Sequence, residues 1–394
     1  MRRIIKLTLF FVALFTLKSF GRQKIILSEE SEISVITCDI GKELYSSFGH
    51  TALRVKDEKN KLDVVFNYGS FDFSTSNFYL KFSRGSLNYY LTVTTYDKFI
   101  REYTYTDRSL FEQILDLTVQ EKNKLFTVLS ENIKPQNRFY RYQFFKDNCT
   151  TRIRDFIQKV TYSNLVQDSS YIEESKSYRT LFTGYLKKGS WVDIGLNLCL
   201  GLPADHKTTF DESLFLPFEL EKALDHSYLN GHPLVKEKRV LYSSRAGAFM
   251  NASKKQETFN PFILLTLLSV ILGGLAFNQN YAPKVDVLVF GVSALVGLIL
   301  FYLAVFSLHT PTHYNLNLLW LSPFNLILIT KKEKFKKMYC KLYLILLALV
   351  FIINSIVGYF NPIFFPITIV LMVRLSTLSG WLYYPRLEGK SVTY

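Results

Sequence analysis

Asp147-Asn148-Cys149-Thr150-Thr151-Arg152-Ile153-Arg154-Asp155 follows an aromatic, strand-like run, Phe139-Tyr140-Arg141-Tyr142-Gln143-Phe144-Phe145. It opens an amphipathic helix whose apolar positions are Ile153, Phe156, Ile157 and Val160. Asn148 suits the N-cap, which puts Cys149 in the first helical turn. Unpaired N–H groups and the positive end of the helix dipole favour the thiolate there, and the thiolate is the nucleophilic form. About a hundred residues upstream stands His50, in Phe48-Gly49-His50-Thr51-Ala52-Leu53-Arg54-Val55. The two read as a nucleophile and its base. The competing reading is a buried helix-start cysteine and an ordinary strand histidine.

His50–Lys56 and Leu62–Tyr68 alternate as strands and are joined by a turn-like stretch, Asp57-Glu58-Lys59-Asn60-Lys61. Paired around that turn, their residue numbers sum to about 117, which sets His50 opposite Asn67 within cross-strand reach. A side-chain carbonyl at Asn67 would hold the imidazole tautomer, completing a nucleophile–base–orienter set of Cys149, His50 and Asn67. Asn67 also reads simply as a turn residue before Tyr68-Gly69. Further strands are expected at Ile33–Cys38, Ser86–Thr94 and Arg108–Leu117, and helices at Tyr96–Tyr105, Ser190–Leu200 and Ser213–Leu224. Thr118-Val119-Gln120-Glu121 is a capping box that opens a helix ended by Pro135. The part before residue 260 is thus an α+β domain of ordinary charge density.

The net charge of +14 is unevenly distributed. Residues 1–21 carry +4 and residues 261–394 carry +7, while residues 22–260, with 33 basic and 30 acidic side chains, carry only +3. Excess basic charge beside apolar runs follows the positive-inside rule, and the soluble part has no basic face for nucleic acid. Cys38, Cys149, Cys199 and Cys340 show no zinc spacing, and no Gly-rich phosphate loop is present, so neither a metal nor a cofactor is expected. Cys38 with Cys199 is a candidate disulfide in an oxidising compartment.

Residues 1–21 read as a secretory signal peptide, with an uncleaved anchor as the alternative. Residues 22–245 then form the exported thiol domain and 246–260 a linker. Residues 261–385 form an all-α domain of five transmembrane helices (261–277, 285–309, 316–330, 338–360 and 363–385), and 386–394 a cytoplasmic tail. The Lys-rich stretch 331–337 belongs in the cytoplasm, and counting back three crossings puts the thiol domain outside. Arg374 inside the fifth segment is a functional candidate because a charge there is costly, or else it is satisfied by a carbonyl of the bundle or by snorkelling. His309 and His313 flank the outer loop and read mainly as interfacial decoration.

A histidine on a strand followed by an Asn-Cys pair opening a helix resembles the circularly permuted papain-like (NlpC-type) fold. The lecithin:retinol and phospholipid acyltransferases have the same His-before-Cys order. Glu43–His50, Phe66–Phe73, Asp147–Asp155 and Leu200–Asp205 are together similar to the Lnb family, inner-membrane lipoprotein N-acyltransferases with a periplasmic domain ahead of five membrane helices. The resemblance implies Cys149 as nucleophile and His50 as base; Asn67 rests more on the hairpin. It also implies a membrane phospholipid as acyl donor and a diacylated lipoprotein as acceptor, in an integral membrane protein of the bacterial inner membrane. A membrane-anchored cysteine peptidase, amidase or phospholipase, and a non-catalytic scaffold, are the competing functions.

Overall fold

The computed structural model describes residues 25–161, 164–172, 175–245, 260–329, 333–357 and 359–382. The expected signal segment 1–21, the linker apart from residue 260, the first two residues (331–332) of the Lys-rich stretch and the tail 386–394 lie outside the described residues. The order of the first half is β1 (Glu32–Cys38), β2 (His50–Asp57), β3 (Leu62–Ser70), α1 (Phe78–Arg84), β4 (Asn88–Thr95), α2 (Tyr96–Tyr105), β5 (Leu110–Leu115) and α3 (Val119–Asn132). There follow β6 (Phe139–Arg141), α4 (Cys149–Thr161), α5 (Trp191–Cys199), α6 (Pro217–Asp225) and β7 (Val235–Tyr242).

Seven strands make one antiparallel sheet in the order β7-β5-β1-β2-β3-β4-β6. Its side chains alternate between two apolar layers, as a sheet covered on both faces requires. Ile33, Val35, Leu53 and Val55 pack with Leu125, Ile153, Ile157 and Leu220, which brings α3, α4 and α6 onto one face. Ile36, Cys38, Ala52 and Val65 pack with Phe99 and Tyr103 of α2 on the other. The capping box opens α3 as its spacing predicts, with the Glu121 N–H donating to Thr118 Oγ1 at 3.2 Å. Two local expectations are corrected. The helix expected over Ser213–Leu224 is broken into Phe210–Ser213 and α6, because Pro217 can only start a helix turn there. The aromatic run from Phe139 is strand for three residues only, after which Gln143 and Asp147 close a turn that feeds α4.

The hairpin register is also corrected. Arg54 pairs with Val65 and Asp57 with Leu62, so the numbers sum two higher than expected, and the ladder ends at Leu53–Phe66. The Asp57 carboxylate holds the Asn60 amide and Ser28, which draws Asp57 into the strand and leaves a connection of only residues 58–61.

The second half has α7 (Pro261–Ala276), α8 (Ala282–Phe306), α9 (Glu333–Val357) and α10 (Phe365–Ser379). Among the described residues three helical stretches are long and apolar enough to cross a membrane, Ala282–Phe306, Phe335–Ser355 and Pro362–Ser379. The first, Pro261–Ala276, is shorter, about 24 Å at roughly 1.5 Å per residue. The expected third span, 316–330, does not form an α-helix. It consists of 3₁₀ turns, Leu316–Leu319 and Pro323–Ile329, packed along α8. Its asparagines compete for backbone helix bonding, and Pro323 removes a donor. Buried Asn325 is held by Ser293 Oγ at 2.8 Å and the Tyr339 hydroxyl at 2.8 Å, while Asn317 Oδ1 accepts the Trp320 indole N–H at 2.9 Å. Irregular backbone amid apolar helices survives where protein covers it and its polar groups are satisfied.

Arg374 is explained by structure. Its guanidinium grips Asp286 of α8 through two bonds, 2.6 and 2.8 Å, and donates to Ala276 O at 3.2 Å, which ties α7, α8 and α10 together. The Cys38–Cys199 pair is not formed. Both cysteines are free, Cys38 inside the sheet and Cys199 against the apolar core of the second half.

The halves meet along a seam made mostly of main chain. The Leu308 N–H donates to Arg84 O at 2.8 Å, Ser307 Oγ to Ser83 O at 2.8 Å, and the Gly201 N–H to Pro311 O at 2.8 Å. The Asn315 and Asn317 amides donate to Leu198 O at the end of α5. Arg179 forks onto Asp205 and reaches Gly201 O, which holds the Leu200–Asp205 motif in place. A side chain at Gly201 would put its Cβ 1.7 Å from His313 O. Gly201→Ala is therefore expected to pry the seam open, lowering the thermal midpoint in detergent and speeding tryptic cleavage between the halves. An unchanged midpoint and digest would refute this packing.

Candidate active site

The start of α4 faces the open ends of β2 and β3. Asn148 caps the helix through Oδ1, which accepts the Thr150 and Thr151 N–H groups at 2.8 Å each. Its amide donates to Phe144 O and Phe215 O, so the cap is fixed from both sides. Arg152 clamps the preceding turn through Asp147 at 2.6 and 2.8 Å and lies 3.5 Å over the Tyr140 ring. Cys149 is thereby presented at a rigid helix start and is buried.

His50 and Asn67 are brought together, with His50 Nε2 3.3 Å from Asn67 Oδ1. Since the register is shifted, Asn67 lies diagonal to His50 rather than opposite it, a separation that long polar side chains still bridge. Gly69 is the neighbour of Cys149 on β3: a side chain there would lie 3.8 Å from Cys149 Cβ and 3.4 Å from the Tyr142 ring. Thr51 Oγ1 and Thr150 Oγ1, 3.0 Å apart, pin the strand to the helix.

Burial pushes the Cys149 thiol up, but the His50 charge and hydrogen bond, the Thr51 N–H and the Thr150 hydroxyl outweigh it and bring the group down to about 7. The sulfur is thus set among donors on two elements, β2 and α4. Cys38, also buried, is pushed up to about 12 because burial there outweighs the Arg108 charge and the Tyr103 hydrogen bond that act to lower it. The contrast locates the cause in the surroundings of Cys149 rather than in its depth.

Tyr142 was not picked out by the sequence reading. Its hydroxyl hydrogen-bonds the Cys149 sulfur, and burial, followed by the Cys149 charge, raises the phenol well above its ordinary value. The Tyr140 hydroxyl, buried in the same wall, has no hydrogen-bond partner. The signal that could have exposed the two is their i, i+2 spacing just ahead of the cysteine, which puts both rings on one side of an extended chain. The Thr150 and Thr151 N–H groups are occupied by the cap, so neither is free to donate to an oxyanion. The hydroxyl of Tyr142 is the donor already aimed at the sulfur.

The remaining histidines lie elsewhere. His309 Nε2 meets Phe82 O at 2.8 Å across the seam, and His313 Nε2 meets Ser307 O at 2.9 Å within the loop that follows α8. Among the described residues no group of three or more His, Cys, Asp or Glu side chains could hold a metal ion. What the arrangement offers is a thiol that ionises near neutrality, beside an imidazole that is itself in contact with a side-chain amide. Alkylation of Cys149 by iodoacetamide is expected to rise with pH through a midpoint near 7. His50→Ala should move that midpoint above 8.5 and slow the reaction at pH 7 by roughly tenfold or more. A wild-type midpoint at that of an ordinary thiol would remove the coupling.

Residues 22–184 match the family model described as Lnb N-terminal periplasmic domain, and residues 253–384 match the one described as Lnb transmembrane domain. No curated protein and no solved structure matches the chain.

Proposed function

The chain belongs to the Lnb-type family, two of whose domains it carries in order, and from that premise we propose that it is a phospholipid-dependent lipoprotein N-acyltransferase. Membership of this family makes it a membrane protein with a periplasmic domain, of a class that modifies lipoproteins. The observation that carries the finer reading is the thiol, lowered to about 7, in a domain fastened main chain to main chain onto the end of an apolar helix. A soluble peptidase has no use for that attachment; a lipid substrate does. We read the thiol domain as permuted papain-like, with residues 22–245 in the periplasm and 261–385 in the inner membrane.

In this mechanism His50 takes the Cys149 proton, with Asn67 holding the ring. The thiolate attacks an ester carbonyl of a phospholipid, and Tyr142 donates to the charge that builds there. The C–S bond forms, the C–O bond breaks, and the lysophospholipid alcohol leaves with the proton from His50. The α-amine of a diacylglyceryl-cysteine then attacks the thioester. The amide C–N bond forms, the C–S bond breaks, and the amine proton returns to His50, leaving the thiolate to start again. Mass spectrometry of lipoprotein N-termini from cells with and without the protein tests the reading: a third acyl chain should appear only with it. A thioester that decays to free fatty acid in the presence of an acceptor lipopeptide would make the protein a phospholipase instead.

Asn67→Ala should retain partial activity, within about a hundredfold of wild type, because an orienting group is worth less than the base it orients. Its pH profile should shift while Asn67→Gln restores part of the rate. Loss as complete as that of His50→Ala would give Asn67 a larger part than orientation.

A further inference from the structure

A run of aromatic rings leads away from the sulfur. Tyr142, bonded to Cys149, stacks on Tyr89 with ring centres 4.7 Å apart, and Tyr89 meets Phe71 at 5.4 Å. Phe71 packs on Phe73 at 5.0 Å and on Phe78 at 5.8 Å. Phe78 stacks on Phe82 at 6.3 Å, and Phe82 meets the His309 ring at 6.0 Å. Ring touches ring from the thiol to the loop that follows α8.

The outer side of this run is bare. Phe73 is 59% exposed, Tyr79 80% and Leu80 59%. Large apolar side chains grouped like this mark a surface that something apolar covers. The position of α1 says what covers it. The carbonyls of Phe82, Ser83 and Arg84 are bonded to His309, Ser307 and Leu308, directly after α8 ends at Phe306. Val305 and Phe306, on a helix long and apolar enough to cross a membrane, and Leu308 just after it are themselves exposed. The apolar face of α1 is thus continuous with a surface that hydrocarbon must cover. Within α1 the charged residues are Lys81 and Arg84, with no carboxylate. An apolar face with cations beside it is the composition of a segment that lies in the headgroup region.

We propose that residues 71–82 form an apron seated in the outer leaflet, and that an acyl chain of a bilayer phospholipid lies along these rings with its ester at Cys149. The seating of the apron stands on geometry alone, whereas the acyl-chain path rests on the acyltransferase reading. The rings supply a dry, sequence-tolerant track for hydrocarbon, so the chain reaches the thiol without crossing water. The ester group need only leave the bilayer surface by the height of the sheet edge, which is fixed by the seam.

The test uses the full chain in nanodiscs of phosphatidylethanolamine and phosphatidylglycerol. A nitroxide is placed by Tyr79→Cys in a Cys149→Ser background, so that the reactive thiol is not itself labelled. Power-saturation measurements should show relaxation by oxygen and exclusion of a water-soluble nickel chelate, opposite to a label at exposed Lys236 on β7. In the wild-type thiol background, Phe73→Ser/Leu80→Ser should slow thioester formation from phospholipid by about tenfold or more. Alkylation of Cys149 by iodoacetamide should stay within about twofold of wild type, which shows that the site is intact. A Tyr79 label as open to the chelate as the Lys236 label overturns the apron. A double variant that forms the thioester at the wild-type rate overturns the path. If the Tyr79 label sits in lipid but wild-type protein forms no thioester with any phospholipid, the apron stands and the acyltransferase reading falls.

Discussion

Cys149→Ser is expected to leave lipoproteins without the third acyl chain, a loss of roughly a thousandfold or more in transfer rate. The serine hydroxyl would sit at the same capped helix start, beside the same imidazole, yet would stay protonated where the thiol ionises near 7. His50→Ala should cost nearly as much, since burial would then dominate and push the thiol up. The double substitution should cost little beyond either single one, because nucleophile and base act as a unit. Incubation with radiolabelled phospholipid should trap a hydroxylamine-sensitive acyl group on the wild type and none on Cys149→Ser. If Cys149→Ser still transfers acyl chains, the thiol mechanism is wrong. If the double substitution is the product of two independent losses, the two residues do not form a pair.

The second large effect concerns stability. Arg374 and Asp286 are 5% and 8% exposed, and each is the principal charge partner of the other. Arg374→Leu strands a carboxylate among apolar helices, and the expected cost is about 3–5 kcal/mol. Asp286→Leu should cost a similar amount, since the guanidinium would keep only the Ala276 carbonyl. Replacing both by leucine should recover most of the loss, because a buried pair exchanged for apolar side chains of similar size is often close to neutral. Unfolding in mixed detergent micelles measures all three. A single substitution without effect, or a double one as unstable as the singles, would contradict the clamp. Acylation that survives in the double variant would separate this pair from the chemistry.

Much of the site was legible in the sequence because its cues are local. Asn148 before Cys149 marks a helix start, and two alternating runs on either side of a charged turn mark a hairpin. The expected contact of His50 with Asn67 is present although the register behind it was two residues off. Side chains two positions apart on a strand share a face, so an even slip changes an opposite pair into a diagonal one. What escaped depends on distant chain. Tyr142 reaches the sulfur only because the turn closed by Gln143 and Asp147 folds its ring back over β3. The third apolar segment has the hydropathy of a helix, but its asparagines are satisfied by Ser293, Tyr339 and Leu198, partners that no local window contains. Arg374 looked costly from its own segment, and its partner lies 88 residues away in sequence.

The seam carries a consequence for how such chains diverge. Its bonds run from backbone N–H, serine hydroxyl and asparagine amide to backbone carbonyls, which every residue type supplies. Drift in the remaining side chains around the junction should therefore be tolerated, with Gly201 and the side-chain donors Ser307, His309, Asn315 and Asn317 the exceptions, while a single insertion in 82–85 or 307–315 would shift the donors off their acceptors. Two halves taken from different relatives should fit without co-adapted surfaces, provided those loops keep their lengths. The junction behaves as a standard fitting, open to recombination and closed to changes in spacing.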